Sequence, residues 1–223
     1  LIFKKAEGED EKDMKLLFIR HGQTAWNREQ VFRGGTDVEL DEIGKNQARL
    51  LAQRLMNCSL SAVYSGPLSR ARETAQAVAD ACGLEVKVHP GLDDMRFGKW
   101  EGLAHTEVAT RYPEEYQLWK TDPWRARIPG GLGLAELDQR SGSALNEIIA
   151  ANRPEAVLAV VTHRVVLKLL VSRMLGLGPD GFWKIKLSPC SLTTFLWEGQ
   201  RFVMEGFNDV CHLKDLDPGL MDF

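Results

Sequence analysis

Lys15-Leu16-Leu17-Phe18-Ile19 runs directly into Arg20-His21-Gly22-Gln23-Thr24. The apolar run reads as a buried β-strand, so an arginine and a histidine leave the sheet together where that strand ends. Open α/β sheets gather their chemistry at the carboxyl ends of strands. A guanidinium presents a planar fork of donors suited to phosphate oxygens, and an imidazole titrates near neutrality and can act as base or nucleophile. The pair points to a phosphate site with a histidine in it. Taken alone, the same residues also fit a strand end that is merely capped.

Working outward, Asp41 to Asn57 predicts a helix, with Leu50, Leu51, Leu55 and Met56 as its apolar stripe and Asp41 as its N-cap. Ala62-Val63-Tyr64 is a short buried strand, and Leu68 to Ala81 a second helix stopped by Gly83. Arg70 falls in the first turn of that helix and can swing toward the strand ends, whereas Arg72, two residues on, faces elsewhere as a surface or salt-bridge residue. Strands at Glu85 to His89 and Ala156 to Thr162, helices at Leu134 to Ala151 and Val165 to Leu175, and a closing strand pair at Ser191 to Trp197 and Arg201 to Phe207 complete the frame. Glycines, prolines and tryptophans punctuate the stretch of about 95–131, which reads as an insertion over the site holding one helix, Thr106 to Lys120. Strands alternating with helices predict an α/β three-layer sandwich, a mainly parallel central sheet with helices on both faces and a small helical lid. His21, Asp94 and His163 each follow a strand end, so the topology should bring them to one place.

The composition allows this fold and excludes several functions. The chain has 223 residues, 44% of them apolar, and a formal net charge of -3. That suits one domain over 14–223 and gives neither a nucleic-acid footprint nor a membrane span. Cys58, Cys82, Cys190 and Cys211 are scattered, as expected of reduced thiols in a cytoplasmic protein. His89, His105 and His212 lack metal-ligand spacing and read as surface or packing residues. Residues 1–13 crowd charges of both signs before Met14 and read as a flexible leader or an expression remnant.

Four segments, in order, carry a resemblance. The first is Arg20-His21-Gly22 with Trp26-Asn27, Phe32-Arg33-Gly34, Asp37, Leu40, Gly44 and Gln47-Ala48; the second is Tyr64 to Ala75. Leu92 to Gly102 and Val160-Val161-Thr162-His163 follow. Together they resemble the histidine phosphatase superfamily, phosphoglycerate mutase-like, branch 1. The resemblance implies phosphoryl transfer with Arg20, His21, Arg70, Asp94 and His163 as the catalytic set. Asp94 departs from the family's usual glutamate and shortens the acid's reach by roughly 1.5 Å. Arg164 stands where many members have glycine, and Pro129-Gly130-Gly131-Leu132-Gly133 replaces a Gly-Gly-Glu-Ser motif.

The chemistry assigns roles within that set. A neutral imidazole can approach a phosphate dianion that repels anions, so His21 is the expected nucleophile. Arg20, Arg70 and a protonated His163 would hold the nonbridging oxygens without a metal. Asp94, raised by burial, would protonate the leaving oxygen, with Asp93 as its rival. Gln23, Thr24, Asn27, Arg33, Gly34, Arg96 and Arg164 are the expected substrate contacts. The basic lid residues Arg96, Lys99, Lys120, Arg125 and Arg127 suit a second anionic group.

Three activities fit. A phosphatase would hydrolyse a small phosphorylated metabolite with no cofactor. A phosphoglycerate mutase, an isomerase, would need 2,3-bisphosphoglycerate, and a non-catalytic protein would only bind phosphate. The shorter insertion and His163-Arg164-Val165 favour the phosphatase. No nucleic-acid or membrane partner is expected, and a homodimer is compatible with the sequence.

Overall fold

A computed structural model describes residues 13–214 and 216; the leader expected at 1–13 lies, but for Asp13, outside them. Six strands form one sheet in the order β3-β2-β4-β1-β5-β6. They are β1 (Met14–Arg20), β2 (Ala62–Ser65), β3 (Val86–Val88), β4 (Val157–Thr162), β5 (Leu192–Trp197) and β6 (Phe202–Asp209). The β1–β4, β4–β2 and β2–β3 pairs are parallel, whereas β5 runs antiparallel beside β1 and β6 antiparallel beside β5. This is the mainly parallel sheet expected, closed at one edge by the terminal strand pair.

Alternation along the strands decides the layers, because successive side chains leave a strand on opposite faces. Leu17 and Ile19 of β1 pack with Val63, Ala159 and Val161 against α2 (Glu42–Leu55) and α3 (Ser69–Cys82). Leu16 and Phe18 face the other way, into a larger core with Tyr64, Leu158 and Val160 and with α6 (Leu134–Ala150) and α7 (Arg164–Met174). Asp41 caps α2 as expected, its Oδ1 accepting from the Gly44 amide at 2.8 Å. Gly83 ends α3 at φ 65°, a left-handed geometry glycine adopts without strain.

Two elements differ from the sequence reading. The helix expected over Thr106 to Lys120 is two helices, α4 (His105–Arg111) and α5 (Pro113–Thr121). Pro113 bars its predecessor from helical geometry, and Tyr112 sits at φ -135°, ψ 58°. A four-residue helix, α1 (Ala25–Arg28), follows the first strand where no element was expected; it is too short to carry an apolar period. Segment 95–131 docks through Phe97, Trp100, Val108, Trp119 and Ile128, all buried in the larger core. Among the described residues no helix is long and apolar enough to cross a membrane.

Candidate active site

Strand register brings the two histidines together. Arg20 of β1 lies opposite Thr162 of β4, so His21 and His163 are the first residues beyond two adjacent parallel strands. The His21 amide still donates to the Thr162 carbonyl at 3.0 Å, and the imidazole centroids stand 5.2 Å apart. The chain then passes so close to the start of α2 that a Cβ on Gly22 would lie 2.7 Å from the Gly44 carbonyl oxygen. Only glycine fits at that crossing. His163 is itself the N-cap of α7, so the amino end of this helix faces the site.

The cations are held by main-chain oxygens. Arg20 Nη1 donates to the Leu187 carbonyl at 2.7 Å. Arg70, fully buried, donates from Nη1 to Thr36 O and from Nη2 to Gly34 O, both at 2.9 Å, and from Nη2 to Asp94 Oδ2 at 2.9 Å. Asp94 Oδ1 accepts from the Met95 amide at 2.8 Å, and Oδ2 lies 3.4 Å from His163 Nδ1. His21 Nδ1 is 2.7 Å from the Gly22 carbonyl oxygen, which can only accept. That contact puts the proton on Nδ1 and leaves the lone pair on Nε2. Arg70 Nε and His163 Nε2 are buried without a hydrogen-bond partner among the described residues, a state a ligand's oxygens would relieve.

Electrostatics keep both histidines neutral. Burial, then Arg70, His163 and Arg20, holds His21 well below the ordinary imidazole value. Burial pushes His163 down to about 3, and the neighbouring Asp94 only partly opposes it. The protonated His163 expected from sequence is therefore corrected for the unliganded site: desolvation of a fully buried ring outweighs one carboxylate. Asp94 also departs from expectation. Burial pulls it upward, but His163, Arg70 and the Met95 amide outweigh that pull and hold it below the usual carboxylate value. Its rival Asp93 is shifted upward by burial, yet its Oδ1 accepts from the Asp94 amide.

A cavity of about 30 Å³ opens on this constellation, lined among others by His21, Arg33, Gly34, Asp94, His105 and Arg164. The expected contacts divide accordingly. Arg33, Gly34 and Arg164 line the cavity; Gln23, Thr24, Asn27 and Arg96 do not, nor do Arg20, Arg70 and His163 of the expected catalytic set. The Gln23 amide is occupied by Gln47 Oε1 at 2.9 Å, and its side chain donates to Asp41. The Thr24 amide and hydroxyl both donate to Asn27 Oδ1, so these groups brace α1. Arg96 is exposed, as are Lys99, Lys120, Arg125 and Arg127. His105 is a packing residue, stacked on Phe32 with centroids 4.1 Å apart, but it also borders the cavity.

Two supporting residues escaped the sequence reading. Glu101 accepts from the Gly35 and Phe97 amides at 3.0 and 2.8 Å and from the Thr36 hydroxyl at 3.1 Å. It thereby ties the loop that supplies Arg70's carbonyl partners to the start of segment 95–131. Arg140 reaches from α6 to the Asp93 and Asp94 carbonyls and fixes the acid loop. Neither follows a strand end, so position in the sequence offered no signal for them.

The histidine phosphatase superfamily (branch 1) matches residues 16–210. Phosphoserine phosphatase 1 of Hydrogenobacter thermophilus is 33% identical over 91% of this chain and 95% of its own. A probable phosphoglycerate mutase of Yersinia enterocolitica is 32% identical over 90% of this chain and 95% of its own. A phosphoserine phosphatase variant of Entamoeba histolytica, solved with phosphoserine, superposes with a TM-score of 0.80 at 28% identity, covering 90% of this chain and 99% of that one. The two adjacent histidines, the buried arginines and the match over nearly the whole described chain place this protein in one family: it belongs to the histidine phosphatase superfamily, branch 1.

Proposed function

We propose that this chain is a metal-independent phosphatase that hydrolyses a small phosphorylated metabolite through a phosphohistidine. The observation that carries the reading is the His21 ring: neutral, with Nδ1 spent on the Gly22 carbonyl and the Nε2 lone pair available. Nε2 attacks phosphorus and the bond to the ester oxygen breaks. Arg20 and Arg70 hold the charge on the nonbridging oxygens, a task for which fixed guanidiniums suffice. A phosphate dianion beside Asp94 and His163 raises both affinities for protons, so Asp94 becomes the acid for the departing alkoxide only once substrate is bound. Water then attacks phosphorus, Asp94 takes its proton, and the P–N bond breaks to release inorganic phosphate.

Relatives named phosphoserine phosphatase support hydrolysis over transfer. The mutase alternative requires 2,3-bisphosphoglycerate to load His21. Rapid-quench mass spectrometry with 3-phosphoglycerate, with and without 2,3-bisphosphoglycerate and with EDTA throughout, tests the proposal. It is expected to find an acid-labile phosphate on His21 and release of inorganic phosphate in both cases. Unimpaired turnover by His21→Ala would end the covalent mechanism, and isomerisation dependent on 2,3-bisphosphoglycerate would turn the assignment to a mutase.

A further inference from the structure

Two of the four cysteines meet at one main-chain oxygen. Cys58 follows α2 and Cys82 ends α3, and the two helices share a core through Leu51, Leu55, Val78 and Ala79. The Leu55 carbonyl accepts from the Cys58 amide at 2.8 Å and from the Cys82 thiol at 3.5 Å. The Cys58 nitrogen and the Cys82 sulfur are therefore neighbours of the same atom. Burial, then Cys58, raises the Cys82 thiol, so the two side chains also interact electrostatically. They differ in access: Cys58 lies on an exposed segment, Met56 to Ser59, whereas Cys82 is half-buried behind it. Cys211 is the rival partner, since Arg54 interacts with both it and Cys58. Its amide, however, is tied to Asp209, the ion-pair partner of Arg54, and not to Leu55.

We infer that Cys58 and Cys82 are a redox pair, which a peroxide converts into a reversible disulfide that staples the carboxyl ends of α2 and α3. Peroxide oxidises the exposed Cys58 thiol to a sulfenic acid and is itself reduced to water. The Cys82 sulfur then attacks the Cys58 sulfur, the S–O bond breaks, and the hydroxyl leaves as water with the Cys82 proton. Two thiols are oxidised and one peroxide reduced. A disulfide needs Cα atoms roughly 4.4–6.8 Å apart, and helix ends, the first places to fray, can adjust to that span. The link closes residues 58–82 into a loop and removes conformations from the unfolded chain. The same helices carry Gly44 and Arg70 near their amino ends, so the staple holds together the pair on which one side of the site is built. The inference is independent of the phosphatase reading.

The test treats the ligand-free protein with hydrogen peroxide in slight molar excess and then blocks the remaining thiols with N-ethylmaleimide in denaturant. Non-reducing peptide mapping by mass spectrometry should find Cys58 joined to Cys82, with Cys190 and Cys211 alkylated. Cys190 is the internal control, because it is fully buried and burial pushes its thiol up. Oxidation should raise Tm by roughly 5–10 °C, and dithiothreitol should reverse the gain. In Cys58→Ser and in Cys82→Ala both the linked peptide and the gain in Tm should be absent. Cys58 joined to Cys211, a link formed only between chains, or Cys58 carried on to sulfinic acid with Cys82 alkylated would overturn the pair. A Cys58–Cys82 link that leaves Tm unchanged or lowers it, or a gain in Tm that survives in either variant, would overturn the staple.

Discussion

The groups around His21 and the further cations of the cavity wall are built differently. Each group of the first set is fixed by the main chain: Arg20 on Leu187 O, Arg70 on Gly34 O and Thr36 O, His21 on Gly22 O, Asp94 on the Met95 amide. Of the second, Arg33 comes from a loop and Arg164 from the start of α7. Groups tied to the backbone need no reorganisation as charge develops, which is the basis of electrostatic catalysis. Loss of one of these main-chain-fixed donors should therefore weaken turnover of every substrate.

Arg70→Ala is the most severe way to probe that difference. Removing one preorganised donor typically costs about 3–4 kcal/mol of transition-state stabilisation, a loss of roughly 10²–10³ in rate. The loss should be equal for p-nitrophenyl phosphate and for sugar phosphates, because the phosphate is common to both. Asp94→Asn should instead cripple esters of poor leaving groups and largely spare p-nitrophenyl phosphate, whose phenolate departs without a proton. Steady-state kcat/KM on the two ester types reads both variants. Selectivity in Arg70→Ala, or equal losses in Asp94→Asn, would break the assignment of clamp and acid.

Legibility in the sequence follows the same division. The parallel sheet, its two faces of helices and the histidines at neighbouring strand ends could be read because a strand's period and its terminus are local properties. Arg70 was readable from its place in the first turn of α3. The ionisation of His163 and Asp94 was not, since it depends on whether desolvation or contacts at 2.9 to 3.4 Å prevail. Gln23 and Thr24 looked like phosphate donors by proximity, yet the Gln23 amide and side chain donate to Gln47 and Asp41 and the Thr24 amide and hydroxyl to Asn27 Oδ1. The lid's basic residues are a different case. Their charge is visible in sequence, but that they stand exposed while Phe97, Trp100 and Trp119 are buried in the core is not.

Burying two neutral imidazoles side by side should also make the fold sensitive to acid. Between pH 6.5 and about 3 the unfolded chain protonates His163 while the folded chain does not, so the unfolded state binds more protons and stability falls as pH falls. His21, also held low, acts in the same direction. At pH 5 each histidine that stays neutral in the fold costs about 2 kcal/mol relative to pH 7, from the ordinary imidazole value of about 6.5. Denaturant unfolding of the ligand-free protein at pH 7 and pH 5 should show this decrease, and His163→Gln should lose about 2 kcal/mol of it. An unchanged pH dependence in that variant would mean that His163 takes up its proton in the fold, beside Asp94. Inorganic phosphate should reduce the acid sensitivity, since a bound anion favours the imidazolium.

The smallest effect is expected where charge is most conspicuous in the sequence. Lys99, Arg125 and Arg127 are exposed and do not line the cavity. Among the described residues Arg127 makes hydrogen bonds of 3.4 Å only, to the Trp124 and Ala126 carbonyls. At physiological ionic strength the screening length is about 8 Å, so side chains directed into solvent contribute little to a phosphate held beside His21. The triple variant Lys99→Ala, Arg125→Ala, Arg127→Ala should therefore keep kcat/KM within about twofold of the unmodified protein in 0.15 M salt. At roughly 0.01 M salt the screening length rises to about 30 Å, and any loss that appears should be in substrate capture and absent from kcat. A loss above about tenfold that persists in 0.5 M salt would show that one of these side chains reaches the substrate. In that case segment 95–131 would close over the cavity during turnover.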